Sequence, residues 1–174
     1  MKRILVFLIL SSLFGASSFA QKMTGYGAEL SILSAKLNVR DWLSKSNGFE
    51  VFGGISSELD DLNPDDPEVG FKFLHALIYE RTQRTYIGLV GKWKWVNAFD
   101  SNNTNLPIPG LIIGKEWYSK RIHRRAFCVE LGYQVGNKEY NLYSPINHLP
   151  IGKKSFEEFP LILNIRYSFY QLRK

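Results

Sequence analysis

The stretch FPLILNIRYSFY, residues 159–170, lies close to the end of a 174-residue chain. Leu161, Leu163, Ile165, Tyr167 and Phe169 are apolar or aromatic, and Ile162, Asn164, Arg166, Ser168 and Tyr170 between them are mostly polar or amphipathic. Successive side chains leave a strand on opposite sides, so this alternation specifies a β-strand with one greasy and one wet face. What the chain can fold into then depends on the solvent that the greasy face meets.

The alternation recurs along the chain. In YIGLVGKWKWVN (86–97), Ile87, Leu89, Gly91, Trp93 and Trp95 oppose Tyr86, Gly88, Val90, Lys92 and Lys94. In AFCVELGYQV (126–135), Phe127, Val129, Leu131, Tyr133 and Val135 oppose Ala126, Cys128, Glu130, Gly132 and Gln134. From Val69 to Tyr79, Val69, Phe71, Phe73, Leu77 and Tyr79 oppose Gly70, Lys72, Leu74, Ala76 and Ile78. Less regular strands are expected at 29–42, 48–58 and 108–118, the first with a bulge where the apolar phase shifts between Ile32 and Leu33. No segment has the 3.6-residue period of an amphipathic helix. The expected fold class is all-β.

The N-terminus points to export. Met1-Lys2-Arg3 is basic, Ile4–Phe14 is apolar, and Ser18-Phe19-Ala20 puts small residues where a signal peptidase cuts before Gln21. The apolar run is shorter than the roughly 20 residues that span a bilayer. The expected organisation is a signal peptide over residues 1–20 and one barrel domain over 21–174. Loss of Lys2 and Arg3, with no acid lost, lowers the formal net charge of +6 by two. Such mild basicity excludes the dense patch of a nucleic-acid binder. The lone cysteine, Cys128, cannot form an internal disulfide, so an exported domain must draw stability from a core, a closed sheet or a membrane.

Connections add a second pattern. Short links at 43–47, 81–84 and 119–124 alternate with longer polar ones at 59–68, 98–106 and 136–158. Short turns on one side and long loops on the other characterise antiparallel up-and-down transmembrane barrels. Bacterial single-chain barrels use an even number of strands, so an eighth strand is expected in Met23–Ser31 or Asn137–Tyr143.

Face chemistry selects the solvent. A soluble barrel would charge its second face densely, whereas here Gly70, Ala76, Gly88 and Gly132 alternate with isolated Lys72, Lys92, Lys94, Glu130 and Arg166. Small residues with a few opposite charges suit the narrow, filled interior of an eight-stranded barrel, where ion pairs replace an apolar core. The other face carries Trp93, Trp95, Trp117, Tyr133, Tyr167 and Phe169, as an interfacial aromatic girdle would. This assignment places Ile165 against lipid. It also implies that an added arginine is tolerated better at Ser168, on the polar face.

LILNIRYSFY resembles the C-terminal assembly signal of bacterial outer-membrane barrels. GLIIGKEWYSKRIHRRAFCVELGY (110–133) and LNVRDWLSKSNGFEVFGG (37–54) are similar to hairpins of the small eight-stranded outer-membrane β-barrel family, in its OmpX-like style. The chain departs from that family at its end, where Gln171–Lys174 follow the aromatics. The resemblance implies a monomeric barrel in the cell outer membrane. Its partners would be outer-membrane lipid and the assembly machinery that reads the final strand.

Candidate chemistry is sparse. Asp61, Asn63 and Asp65 have calcium-loop spacing, but the expected glycine is Asp66 and the expected glutamate is Lys72, so a solvated acidic loop is the reading. Lys120, Arg121, His123, Arg124 and Arg125 form a basic turn that could meet anionic headgroups and reads as a solvated link. His75, His123 and His148 show no metal-ligand spacing. Some barrels of the resembled kind modify lipid A with a serine, a histidine and an acid. His148, Ser144, Ser155 and Glu157 offer those types, but the deacylases' serine two residues from histidine is replaced by Pro150. No catalytic, cofactor-binding or metal residue is therefore assigned. The expectation is a non-enzymatic outer-membrane barrel whose outer loops contact partners or surroundings. The alternatives are a lipid A-modifying enzyme and a secreted soluble barrel binding a small apolar ligand.

Overall fold

The structure, a computed structural model, describes residues 23–57, 66–96, 104–119, 124–143 and 150–172. The expected signal peptide lies outside these residues. The strands are β1 (Met23–Ser31), β2 (Ser34–Trp42), β3 (Asn47–Ser56), β4 (Asp66–Tyr79), β5 (Gln83–Val96), β6 (Thr104–Tyr118), β7 (Arg125–Gln134), β8 (Asn137–Tyr143), β9 (Pro150–Glu157) and β10 (Leu161–Leu172). Eight of them close into an antiparallel barrel in the order β1-β10-β7-β6-β5-β4-β3-β2, as the alternation predicts. β8 and β9 form a separate hairpin inserted between β7 and β10.

Closure depends on the opening stretch. β10 pairs with β7 from Leu161↔Tyr133 to Phe169↔Arg125, and with β1 from Asn164↔Ser31 to Leu172↔Met23. Both of its edges are thus hydrogen-bonded, and the barrel has no open edge to satisfy.

The eighth strand is β1. What the sequence presents as a bulge in 29–42 is a hairpin: Ile32 and Leu33 are its turn, and Leu30 pairs with Ala35. A tight turn reverses the chain and a bulge continues it, yet both break the period-2 phase in the same way. The second candidate, Asn137–Tyr143, is also a strand but lies outside the barrel. The short/long alternation therefore has one exception, because the β1–β2 turn is short and sits at the long-link end. A second correction concerns β4. Its register against β5 shifts between Ala76 and Ile78, which turns Tyr79 to the lumen side, where its ring lies 4.8 Å from the Arg84 guanidinium.

At the short-link end, Ser44 explains the β2–β3 turn. Its hydroxyl accepts from the Asn47 N–H (2.9 Å) while its own N–H reaches the Asn47 carbonyl (3.2 Å). The β4–β5 turn is held by Gln83 donating to Glu80 (2.5 Å).

Inside, large side chains lie across glycines of the adjacent strand. Trp42 covers Gly48, Phe52 covers Gly70, Tyr86 covers Gly114 and Tyr170 covers Gly25, each a register pair. A Cβ on Gly48 would stand 2.6 Å from Trp42 Cε3. On the outer face, Phe71 covers its partner Gly91 in the same way. The interior is equally full at Ser168, which is buried with its hydroxyl against Gly27. An arginine does not fit there, so the expected tolerance at Ser168 is overturned by packing rather than by polarity.

Gly48→Ala is expected to destabilise the barrel by about 1–3 kcal/mol through overpacking against Trp42. Gly53→Ala, on the outer face with its nearest neighbours at 3.8 Å, is the control and should leave stability unchanged or slightly raised. Urea midpoints of the refolded proteins check both.

Candidate functional site

Charge lines the lumen. Lys36, Asn38 and Arg40 alternate on β2, Glu50 on β3, Glu68 and Lys72 on β4, Lys92 and Lys94 on β5, Glu116 on β6, Glu130 on β7 and Arg166 on β10; all are buried. The middle of the barrel brings six of these groups, with Glu29 of β1, into one network. Arg40 donates through Nε to Glu50 (2.6 Å), through Nη2 to Glu130 (2.6 Å) and through Nη1 to the Tyr86 hydroxyl (2.8 Å). Lys72 binds Glu29 (2.6 Å), Glu50 (2.8 Å) and Glu130 (2.7 Å). Arg166 donates to Glu50 and, at 2.8 Å, to Glu116. Tyr86 and Tyr118 each donate to a carboxylate at 2.5 Å, Glu130 and Glu116 respectively, and Tyr170 adds a bond to Glu116 at 2.6 Å.

These contacts cross the lumen. Glu130 of β7 meets Arg40 of β2 and Lys72 of β4, and Arg166 of β10 meets Glu50 of β3. The network fills the bore that an eight-stranded barrel encloses. Such pairing is what a low-dielectric enclosure demands, because an isolated buried charge is far more costly than a paired one.

Each mouth has its own closure. At the long-link end Lys36 and Lys92 meet Glu68 at 3.1 and 3.2 Å, and Lys92 also holds Glu158 at 2.7 Å. Glu158 follows β9, so this bond ties the long β7–β10 connection to the lumen, helped by Gln134 donating to the Phe159 carbonyl (2.7 Å). A cavity of about 30 Å³ opens here, lined by Lys36, Ser56, Lys92 and Gln134 among others. At the short-link end the buried Arg84 guanidinium lies 3.7 Å from the Trp42 ring centre, with Tyr79 and Tyr118 at 4.8 and 5.8 Å. Its Nε and Nη1 have no hydrogen-bond partner, and the aromatic faces take that role.

Asp61, Asn63, Asp65, Lys120, Arg121, His123, Ser144 and His148 lie outside the described residues. Asp66 faces Lys94 at 3.4 Å, and Lys72 is committed to the central network, so the calcium-loop spacing does not correspond to a ligand set at those two positions. His75 binds Asn47 (2.9 Å) at the short-link end. Ser155 and Glu157 lie on β9. Arg124 and Arg125 are exposed. No group of three or more His, Cys, Asp or Glu side chains that could hold a metal ion occurs among the described residues.

Lys72, Lys92, Lys94, Glu130 and Arg166 are paired, as the expected filled, ion-paired interior requires, but the sequence did not say with what. Sequence reasoning missed Arg40, Glu50 and Glu116 as their partners. The signal was present in K-x-N-x-R (36–40) and in Gly48-x-Glu50, where polar or small residues hold every second position.

Glu130→Gln leaves Arg40 and Lys72 each short of an anionic partner, so it should cost about 3–5 kcal/mol, as removal of one member of a buried pair does. Exposed Gln171→Glu should cost nothing measurable. Denaturant unfolding followed by tryptophan fluorescence separates the two outcomes.

No protein-family model matches the sequence, and no curated protein sequence matches it. Among solved structures, the chain is similar to the N-terminal β-barrel domain of OprF from Pseudomonas aeruginosa, with a TM-score of 0.55 and 8% sequence identity. The match covers 87% of this chain and 97% of that one. At this identity the likeness concerns architecture, and it agrees with the register and closure described above: the chain has the fold of a closed eight-stranded antiparallel β-barrel.

Proposed function

We propose that the chain is an exported, integral outer-membrane β-barrel protein of the small OmpX-like kind, non-enzymatic, which presents its long links and the β8–β9 hairpin to the surroundings or to a partner. One observation carries this reading, the inversion of the two faces. The enclosed face holds the ion-paired charges, while the outward face exposes Leu37 (73%), Leu30 (64%), Leu111 (61%) and their neighbours around the whole barrel. In water such a surface would far exceed the few hundred Å² of contiguous apolar area that soluble monomers expose. In a bilayer it is the required surface, and the closed hydrogen-bonded sheet leaves no backbone group for lipid to satisfy.

The aromatics fit two interfaces. Trp93 and Tyr133 sit outward at the long-link end, and Trp117, Tyr167 and Phe169 outward at the short-link end. Both chain ends of the described barrel, at Met23 and Leu172, lie on the short-link side, which this reading assigns to the periplasm. The filled lumen argues against a solute channel, and the same filling leaves a soluble carrier no apolar interior for a ligand.

The mature protein should fractionate with outer membranes and migrate differently on detergent gels before and after boiling. Recovery from the soluble periplasm without a shift would sink the membrane reading.

Ile165 lies midway between the two aromatic rows, paired with Leu30 and Val129. Ile165→Arg should cost about 2–4 kcal/mol in lipid vesicles, whereas Ile165→Val should fold like the parent. Deletion of Tyr167–Lys174 should abolish the gel shift, because it removes the pairing of β10 with both β1 and β7 at the short-link end. Equal folded fractions for the parent and Ile165→Arg would show that this face does not meet lipid.

A further inference from the structure

Among the described residues, the outward positions of the eight barrel strands carry three formal charges: Asp41 on β2, Lys115 on β6 and Arg125 on β7. The two cations lie on adjacent strands at the short-link end, and Asp41 lies across the barrel from them. No described ion pair includes Lys115 or Arg125. The rest of this face is apolar, aromatic or uncharged, so two unpaired cations set side by side need a physical reason.

Their surroundings are specific. Trp117 and Phe127 are a register pair with stacked rings, 6.0 Å between centres and 29° between planes. Lys115 stands two residues before Trp117 on the same face, with Nζ 5.5 Å from that ring. Arg125 stands two residues before Phe127 and is the register partner of Phe169, with its guanidinium 5.9 Å from that ring. The strands run in opposite directions, so Lys115 lies on the mid-barrel side of the stack and Arg125 on its rim side. The flexible lysine stem reaches toward the rim across Trp117, as lysines do near a membrane interface.

We propose that Lys115 and Arg125 bracket the Trp117–Phe127 stack as a binding site for the phosphate of an anionic phospholipid in the leaflet at the short-link end. The acyl chains of that lipid descend along Phe127 and Val129. The proposal rests on the membrane reading above. A cation on a lipid-facing strand is costly when it meets hydrocarbon alone, and the cost falls toward the interface. A phosphodiester between the two side chains supplies both with a counter-charge, and the aromatic rings fix the cations' positions. A zwitterionic headgroup offers the same phosphate with its own ammonium already attached, so net negative charge discriminates in favour of the anionic lipid.

The test reads Trp117 as an outward fluorescence reporter in a Trp93→Phe/Trp95→Phe background, where the remaining Trp42 is enclosed in the lumen. The full mature chain is refolded into phosphatidylcholine vesicles that contain brominated phosphatidylglycerol or brominated phosphatidylcholine. Phosphatidylglycerol should associate with the Trp117 site about fivefold more strongly, the scale expected from basic side chains at an anionic surface. Lys115→Gln/Arg125→Gln should remove that preference while keeping the gel shift. Inorganic phosphate should leave the preference where an equal ionic strength of chloride leaves it. Equal quenching by the two lipids in the folded parent overturns the proposal, and this comparison decides the matter even where the double variant folds poorly. A preference abolished by phosphate but not by chloride also overturns it, in favour of a free-phosphate site. A parent that shows no gel shift in either vesicle fails at the earlier step and overturns the membrane reading, and this site with it.

Discussion

Glu50 and Glu130 stand on opposite walls of the lumen and share Arg40, Lys72 and Arg166 between them. Enclosed charge of this density is tolerable only when each member finds its partners, since desolvation costs several kcal/mol per ion and Coulomb attraction offsets it only with good geometry. This demand propagates outward. A one-residue slip of β3 against β2 would carry Glu50 to the outside and Val51 to the lumen. Arg40, Lys72 and Arg166 would then lose a shared acceptor together. The network thus sets register in a way that the largely apolar outer face of β3 cannot, because Phe49, Val51 and Ile55 are interchangeable in any apolar surrounding.

Packing makes room for that network. Eight strands enclose a bore about one layer of side chains wide, and arginine, lysine and tryptophan cannot all occupy it unless neighbouring positions are empty of side chain. The glycines under Trp42, Phe52, Tyr86 and Tyr170 provide that space. Each pairing places the bulk of one strand over the bare backbone of the next. Tyr86 shows how the two demands meet: its ring crosses Gly114 while its hydroxyl joins Arg40 to Glu130. The aromatics of the lumen therefore join the charged network to the apolar side chains packed beside it, such as Leu74, Val90 and Ile112.

The class of fold and the sides of most strands were legible because an apolar outward face and a lumen face rich in charged and small residues impose an almost unbroken period of two. Legibility failed where a different local geometry leaves the same trace. Ile32–Leu33 shifts the phase as a bulge would and is a turn, while the real bulge at Ala76/Ile78 lies in a run too apolar for a phase change to be visible. The lumen network was legible by residue type but not by partner. Lys72–Glu130 and Arg40–Glu130 join strands that are not neighbours in the barrel, so no sequence spacing encodes them. Crowding was hidden too, since β1 and β10 are neighbours in the barrel but lie at opposite ends of the described chain: nothing in YSFY (167–170) says that Gly27 stands behind Ser168.

The distribution of committed and uncommitted groups bears on where such a molecule can act. In the middle of the lumen the carboxylates are occupied by several donors each, and a ligand entering there would have to displace ion pairs that the barrel needs for its register. Arg84 differs, with two nitrogens that have no hydrogen-bond partner, yet Trp42, Tyr79 and Tyr118 enclose it and leave the residue 1% exposed. At the long-link end Glu158 draws the β7–β10 connection, with its hairpin, onto Lys92 and Lys94. These ion pairs anchor the connection to the lumen wall directly after the hairpin. On the reading proposed above, the filled barrel acts as a support, and contact with a partner falls to what projects from it: the long links, the β8–β9 hairpin and the outward rims.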